Sequence, residues 1–189
     1  MELTDLLTAL NAAHTIEGGS PLHRVMLGIS QDALKITAEM NTGYQEPERV
    51  RQLLAQLTGR DVDESVTVFP PFYSDFGKNI TLGKRIFINS GCKFQDQGGV
   101  TIGDDSLIGH NVVLATLNHD LNPTRRADVH PAPITIGRNV WIGSNAIILP
   151  GLTIGDNAVV AAASVVTKDI PANAVVVGSP ARVVRTVPD

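Results

Sequence analysis

Aliphatic and aromatic residues recur every six positions through the second half of the chain and predict short, stacked strands. Four positions after each of these residues, in eleven of twelve cases, stands another small or apolar residue. Glycine often takes the second place of the hexad and asparagine the fourth, and both tolerate tight corners. Each hexad therefore predicts one strand and one turn. The twelve hexads begin at Leu82, Ile88, Phe94, Ile102, Ile108, Leu114, Ile136, Ile142, Ile148, Ile154, Val160 and Val166.

Strands this short cannot bury a face alone, so the hexads are expected to stack as coils of a β-solenoid around a column of aliphatic side chains. From Ile136 to Ile154 is 18 residues, one regular coil of three hexads. From Leu82 to Ile102 is 20 residues, and from Ile102 to Ile136 is 34. The chain therefore makes a long excursion, at about residues 120–135.

His119 stands at the base of this excursion, and long loops on rigid scaffolds often carry function. A histidine has an unperturbed pKa of about 6.5, so it can take up and release a proton near neutral pH, as a general base must. A surface histidine hydrogen-bonded in a loop is the simpler alternative. The repeat spacing alone does not decide between the two.

The hexads resemble the left-handed parallel β-helix of hexapeptide-repeat acyltransferases, and the chain from about Ala33 to Val187 resembles the maltose and galactoside O-acetyltransferase family. The resemblance is densest in ITIGRNVWIGSNAIILPGLTIGDNAVVAAASVVTKDIPANAVVVGSPARVV. PPFYSDFGKNITLG and FINSGCKFQDQGGVTIG resemble the opening coils, and EPERVRQLLAQL resembles the N-terminal helical segment. The resemblance implies transfer of acetyl from acetyl-CoA to a hydroxyl, usually of a sugar, without a metal. It also implies a homotrimer with active sites between subunits.

The resemblance also implies roles for individual residues. His119 matches the catalytic histidine, and Ser144 matches a candidate donor to the oxyanion that forms on the thioester carbon. The implied contacts to acetyl-CoA are Trp141, Ala162, Thr167, Lys168, Arg182 and Arg185, and the implied contacts to the acceptor are Asn89, Asp96 and Asp75. The simpler alternative is that the small polar residues cap turns and the cations are solvated surface charges.

Three positions depart from the family pattern. Ala163 stands where the family commonly has glycine, Asp120 where proline often follows the histidine, and His130 where tyrosine is frequent. The first departure affects how closely the pantetheine arm of CoA can approach the backbone. The other two affect which acceptor the protein uses.

Other functions are compatible with parts of this pattern. An antibiotic O-acetyltransferase would use the same scaffold and histidine, whereas a non-enzymatic solenoid would need neither His119 nor the basic tail. Serine acetyltransferase is disfavoured by the short helical segment and the GSPARVV tail. A zinc-dependent carbonic anhydrase of the β-helix type would use clustered histidines, but the spacing of His110, His119 and His130 does not resemble that ligand pattern.

Residues 1–62 follow helical spacing instead and predict a cap on the first coils. Leu3, Leu6, Leu7 and Leu10 form one apolar stripe, and Val50, Leu53, Leu54 and Leu57 form another. Ser20-Pro21 is a plausible cap and first-turn pair. Residues 63–189 then form the β-helix, its excursion and a C-terminal tail. The predicted fold is mainly β, a left-handed parallel β-helix with an N-terminal α-helical segment.

Composition narrows the range of partners. The chain has 189 residues, 43% apolar content and a formal charge of -4 without a run of Lys or Arg, which argues against nucleic-acid or anionic-membrane surfaces. It shows no signal-peptide pattern and no apolar run long enough to span a bilayer, so we expect a cytoplasmic protein. The single cysteine, Cys92, falls at an inward hexad position and is interpreted as a small core residue rather than a nucleophile.

Overall fold

The computed structural model describes residues 1–188, and its first part is helical. Its helices are α1 (Leu3–Asn11), α2 (Pro21–Met40) and α3 (Pro47–Thr58). The predicted cap of α2 is confirmed: Ser20 Oγ accepts a hydrogen bond of 3.1 Å from the N–H of His23, and Pro21 occupies the first turn. Both leucine-rich stripes lie on helices and turn inward, the first on α1 and the second on α3. Within the described chain, no helix combines the length and apolar character needed to cross a membrane.

The rest of the chain coils so that successive strands fall in three sheets in turn. The first sheet contains β1 (Thr67–Val68), β4 (Phe87–Ile88), β7 (Leu107–Ile108), β12 (Trp141–Ile142), β15 (Val159–Val160), β17 (Ala174–Val177) and β18 (Arg182–Thr186). The second contains β2 (Tyr73–Ser74), β5 (Lys93–Gln95), β8 (Val113–Ala115), β13 (Ile147–Ile148) and β16 (Val165–Val166). The third contains β3 (Ile80–Leu82), β6 (Val100–Ile102), β11 (Ile134–Ile136) and β14 (Thr153–Ile154).

Strands of adjacent coils pair in parallel, as a solenoid requires. Ile136 stands opposite Ile102 on one side and Ile154 on the other, which are the hexad equivalences read from the sequence. The last pair of the first sheet, β17 with β18, is antiparallel. The predicted solenoid and its repeat register are therefore confirmed.

The core is a column of apolar side chains inside the coils. Eleven of the twelve residues that begin hexads are buried, and Leu82 is half-buried. Helix α3 extends the column at its open end, where Leu53, Leu54 and Leu57 join the same cluster. The helical cap thus covers apolar surface and strand edge that would otherwise be exposed at the first coil.

The turns between sheets explain the asparagines of the repeat. Asn111, Asn139, Asn145 and Asn157 have φ between 54 and 61°, in the left-handed region where asparagine is one of the few tolerated residues. Glycine at the second hexad place serves close stacking instead: a Cβ on Gly143 would lie 2.5 Å from the backbone N of Ala162. Coils at this corner are therefore in backbone contact.

Two edges of the coil matter for the site. We name the edge between the first and second sheets the first corner; its turns include residues 89–92, 109–112, 143–146 and 161–164. The edge between the second and third sheets is the second corner; its turns include residues 75–79, 96–99 and 167–169.

The excursion leaves the solenoid at the second corner and is a hairpin rather than an irregular loop. Strands β9 (Leu117–His119) and β10 (Val129–Pro131) pair antiparallel, and a 3₁₀ turn (Pro123–Arg125) lies between them. The hairpin begins before the predicted start at about 120. Regular pairing resumes by Ile134, opposite Val100, so Ile134 and Thr135 belong to the coil rather than to the excursion.

Candidate active site

His119 ends β9 and is exposed at the second corner. Its Nδ1 lies 2.8 Å from the backbone oxygen of Arg126, across the hairpin. A carbonyl oxygen only accepts hydrogen bonds, so this contact requires the proton on Nδ1, and in the neutral ring the lone pair is then on Nε2. The ring is therefore held in the tautomer that a general base needs.

A polar cluster stands beside His119 and includes two of the residues that depart from the family pattern. Asp120 Oδ2 lies 3.0 Å from the Arg125 guanidinium and 3.4 Å from Nε2 of His130. The backbone N–H of Asn122 donates to Asp120 and, with Arg125 and His130 nearby, lowers the pKa of that carboxyl. Asp120 is therefore a charged group whose contacts with Asn122, Arg125 and His130 stabilise the hairpin.

The two aspartates assigned to the acceptor differ in exposure. Asp75 is exposed at the second corner, and partial desolvation raises the pKa of its carboxyl. Asp96 is 0% exposed; its Oδ1 accepts hydrogen bonds from Ser74 Oγ at 2.7 Å and from the N–H of Phe76 at 3.1 Å. Burial raises the pKa of Asp96 to about 6. The structure thus gives Asp96 a local role in holding the turn, and in the single chain its side chain does not reach the surface where an acceptor would bind.

Ser144 lies at the first corner, stacked directly over His110 of the preceding coil. Its Oγ accepts a hydrogen bond of 3.2 Å from the backbone N–H of His110 and lies 3.5 Å from the Nδ1 of that residue. The oxygen is engaged as an acceptor from the His110 N–H, and the single hydroxyl proton can be donated either to His110 Nδ1 or to a ligand.

Three further predicted residues lie on the same side of the molecule as Ser144. Asn89 and Ala162 occupy equivalent edges of other coils at the first corner, and Trp141 precedes that corner on the outer face of the first sheet, 56% exposed. Asn89 Oδ1 accepts from the N–H of Ser90 at 3.0 Å, which leaves its amide NH₂ as the end able to donate to a ligand. Asn89 therefore both caps the turn and keeps a free donor group.

The predicted phosphate-binding cations are exposed and divided between the two corners. Arg182 and Arg185 lie on β18, opposite Val177 and Val175 at the end of the first sheet. Thr167 and Lys168 follow β16 at the second corner. Among residues 1–188, no carboxylate forms a salt bridge with Lys168, Arg182 or Arg185.

The structure consequently sorts the predicted site into two halves. His119, Asp75, Asp96, Thr167 and Lys168 belong to the second corner, whereas Asn89, Trp141, Ser144, Ala162, Arg182 and Arg185 belong to the first corner and its sheet. The second sheet separates the corners, and at roughly 3.3 Å per strand residue its width is on the order of 15 Å. His119 and Ser144 of one chain therefore cannot contact the same thioester.

The histidines considered as zinc ligands are also separated. His110 contacts Ser144 at the first corner, whereas His119 and His130 lie on the hairpin and make different contacts. In the part of the chain that the structure describes, no group of three or more His, Cys, Asp or Glu side chains is arranged to hold a metal ion. Cys92 is 0% exposed, and burial raises the pKa of its thiol to about 11, so it remains a protonated core residue at neutral pH.

Sequence reasoning missed two features of the site. Arg126 orients His119 through its backbone carbonyl, a role that no side-chain pattern reveals. Thr15 and Gly18, from the segment between α1 and α2, reach the hairpin through His130 and Asp128. The Gly18-Gly19 pair was the available signal, because paired glycines between helices mark places of close backbone approach.

Comparison with protein families identifies the repeat. Residues 77–115 match a family model described as the hexapeptide repeat of succinyl-transferase, and residues 133–168 match the bacterial transferase hexapeptide (six repeats). The two matches lie on either side of the hairpin. Galactoside O-acetyltransferase of Escherichia coli (strain K12) is 42% identical over 153 residues, which cover 80% of this chain and 75% of that protein.

Solved structures extend the similarity over the whole fold. A maltose O-acetyltransferase from Clostridium difficile 630 superposes with a TM-score of 0.89 at 34% identity, covering 100% of this chain and 99% of that one. A hexapeptide-repeat acetyltransferase from Vibrio cholerae O1 biovar eltor, complexed with acetyl coenzyme A, gives a TM-score of 0.81 at 32% identity and covers 97% and 99%. The predicted fold class, including the N-terminal helices, is confirmed by these neighbours.

Proposed function

Because this chain belongs to the maltose and galactoside O-acetyltransferase family of hexapeptide-repeat proteins, we propose that it transfers the acetyl group of acetyl-CoA to a hydroxyl of a sugar or glycoside. Its membership makes it an acetyl-CoA-dependent acetyltransferase. The proposal adds the class of acceptor, the base and the assembly of the site.

The observation that carries the proposal is the contact between Nδ1 of His119 and the carbonyl of Arg126. An exposed Nε2 with a free lone pair removes the proton from the acceptor hydroxyl as its oxygen attacks the thioester carbon. The C–S bond then breaks, the CoA thiolate leaves, and the proton on Nε2 passes to the thiolate or to solvent. No covalent enzyme intermediate is needed.

Ser144 is the proposed donor to the oxyanion that forms during this attack. Its oxygen accepts from the N–H of His110, and its hydroxyl proton turns to the oxyanion in preference to the long 3.5 Å contact with Nδ1 of His110. A preorganised donor of this kind is worth about 3 kcal/mol in other acyl-transfer sites. The cations on β18 and at Lys168 are proposed to hold the phosphates of CoA, and Trp141 to line the groove.

The separation of the two corners supports a site shared between chains. The first corner of one protomer would face the second corner of the next, so that Ser144 and His119 come from different copies. A contact between two different surface patches closes into a ring when the rotation allows it. We propose the homotrimer of the family as that ring.

The test of the proposed function is thiol release from acetyl-CoA, measured with glucosides, galactosides, free sugars and hydroxyl-bearing antibiotics as acceptors. His119→Ala is expected to lose roughly 10²-fold or more in kcat with the fold intact. Asn118→Ala is the matched control, because adjacent strand residues point to opposite faces and Asn118 is exposed.

Each result of this experiment decides one part of the proposal. Normal turnover by His119→Ala would remove the histidine from the mechanism. Turnover of antibiotics well above that of every sugar would overturn the acceptor class and leave the base in place.

A further inference from the structure

The segment between α1 and α2 runs along the outer side of the histidine hairpin. We call residues 14–18 the strap. The N–H of Ile16 donates to the carbonyl of Val129, and the N–H of Val129 donates to the carbonyl of Ile16, both at 3.0 Å. Val129 is also the register partner of His119 in the hairpin. Strand β10 therefore lies between the strap on one side and the strand of His119 on the other.

Two polar contacts join the strap to the same part of the hairpin. The N–H of Gly18 donates to Asp128 Oδ1 at 2.8 Å, and Thr15 Oγ1 lies 2.9 Å from Nδ1 of His130. A Cβ on Gly18 would lie 2.4 Å from the Cβ of Ala127. A side chain at position 18 would therefore push the strap and Ala127 apart.

Apolar packing anchors the strap to the body of the protein. Ile16 and Val129 are 1% and 4% exposed and share a cluster with Leu6 and Leu10 of α1 and with Phe76 of the solenoid. The strap is thus held by the helical cap and by the first coils at once. It connects that rigid base to the hairpin.

The hairpin needs such a connection. Its own links to the solenoid are few, among them a hydrogen bond of 3.2 Å from the N–H of Leu117 to Gln95 Oε1, and residues 121–127 of its tip are exposed. A two-stranded hairpin is only marginally stable by itself in water. Displacement of a catalytic group by about 1 Å can reduce the rate by 10²-fold.

We propose that the strap is a positioning element for the base: by pairing with Val129 it fixes the hairpin so that His119 and the Arg126 carbonyl keep their contact. This inference rests on the proposed function of His119. A strap that contacts the acceptor instead would change the KM for the acceptor rather than kcat.

The experiment uses the full-length protein with Gly18→Ala, which forces the strap away from Ala127. We expect kcat to fall about tenfold or more, while the KM for acetyl-CoA and that for the acceptor stay within about twofold. Hydrogen exchange of the Val129 amide is expected to accelerate, and the ¹⁵N shifts of the His119 ring to move away from those of the pure Nδ1–H tautomer.

Matched variants separate positioning from loss of fold. Gly28→Ala on α2, where an added Cβ meets nothing within 4 Å, is expected to leave kcat unchanged. Ala127→Gly in the Gly18→Ala background removes the clashing Cβ and is expected to restore part of kcat. Thr15→Val, which only removes the hydrogen bond to His130, is expected to give a smaller loss of the same kind.

The proposal is overturned if Gly18→Ala keeps normal kcat, or if its only effect is a higher KM for the acceptor. The proposal is also overturned if the double variant Gly18→Ala/Ala127→Gly loses as much kcat as Gly18→Ala alone. A failure of the proposed function looks different, because His119→Ala would then be active whatever the strap variants do.

Discussion

The two corners of the coil carry the two halves of the proposed site, and they are built in different ways. At the first corner, tightly stacked turns hold Ser144: a Cβ on Gly109 would lie 2.6 Å from the backbone N of Ser144. At the second corner, a hairpin interrupts the stack, and His119 depends on the Arg126 carbonyl and on contacts among the hairpin side chains. The repeat itself thus positions groups at the first corner, whereas the base requires added structure.

This difference has a physical reason. A groove for a long cosubstrate needs a straight, stiff wall, which stacked coils provide through backbone contact. The proposed base, His119, stands instead on an insertion whose position depends on a few specific contacts.

The first corner is tested by Ser144→Ala. We expect kcat to fall by about 10²-fold, because the hydroxyl donor to the oxyanion is lost, with little change in the KM for acetyl-CoA. Steady-state kinetics with a saturating acceptor measure this, and Ser90→Ala, at the equivalent place two coils earlier, is the control. A loss below about threefold would show that Ser144 is only a turn residue.

The tail of the first sheet is tested by Arg182→Ala and Arg185→Ala. Each is expected to raise the KM for acetyl-CoA about tenfold with kcat little changed, because a charge-assisted hydrogen bond to a phosphate is lost. Repeating the measurement with acetyl-dephospho-CoA identifies the residue that binds the 3′-phosphate, since that variant then loses its defect. An unchanged KM in both variants would make these cations surface charges.

Asp96→Asn tests the interior of the second corner. Burial raises the pKa of Asp96 to about 6 from its ordinary value of 3.8, so between those values the folded chain binds a proton that the unfolded chain releases. The stability from this group is present below about pH 4 and is lost as the pH rises through about 6. Asparagine keeps the acceptor oxygen for Ser74 without the charge, so we expect a gain on the order of 2 kcal/mol at pH 7.

Thermal or urea unfolding at several pH values measures this effect. The two proteins are expected to converge near pH 4, where the wild-type carboxyl is protonated when folded. A variant that is less stable than wild type by the same amount at pH 4 and pH 7 would contradict the burial argument.

Ala163→Gly is expected to have the smallest effect. Ala163 has a φ of 57°, a left-handed conformation that glycine adopts readily and alanine adopts only with strain. It is adjacent to Ala162, which is proposed to line the groove. We expect the KM for acetyl-CoA to fall by less than about threefold, with stability changed by less than about 1 kcal/mol. A rise in KM would show that the Ala163 methyl contacts the pantetheine arm favourably.

The same contrast explains what the sequence could predict. Hexad positions such as Ile102, Ile136 and Ile154 predict the coil and its register, because burial at a fixed period is a property of each residue type and its spacing. Asn145 and Gly143 predict the corner because asparagine tolerates a positive φ and glycine permits close backbone stacking. His119 was found as the residue where the period stops.

The rest depends on features that no local pattern carries. The sequence predicts an excursion at about 120–135 but not its hairpin, which begins at Leu117 because Leu117 and Pro131 pair with each other instead of continuing the coil. The orienting group of His119 is a backbone carbonyl, and the strap contacts join residues more than 100 positions apart, such as Thr15 and His130. The burial of Asp96 results from the turn that carries Phe76, which packs against the helical cap.

Complementation between two inactive proteins tests most simply whether one site takes its base and its groove from different chains. One carries His119→Ala. The other carries Ala162→Trp, which places bulk at the exposed first-corner edge and closes the groove while His119 stays intact. After dissociation and reassembly of the mixture, we predict acetyl-CoA-dependent activity, because each mixed trimer contains one site with an intact histidine and an open groove. Mixed trimers that form and remain as inactive as both parents would contradict the account.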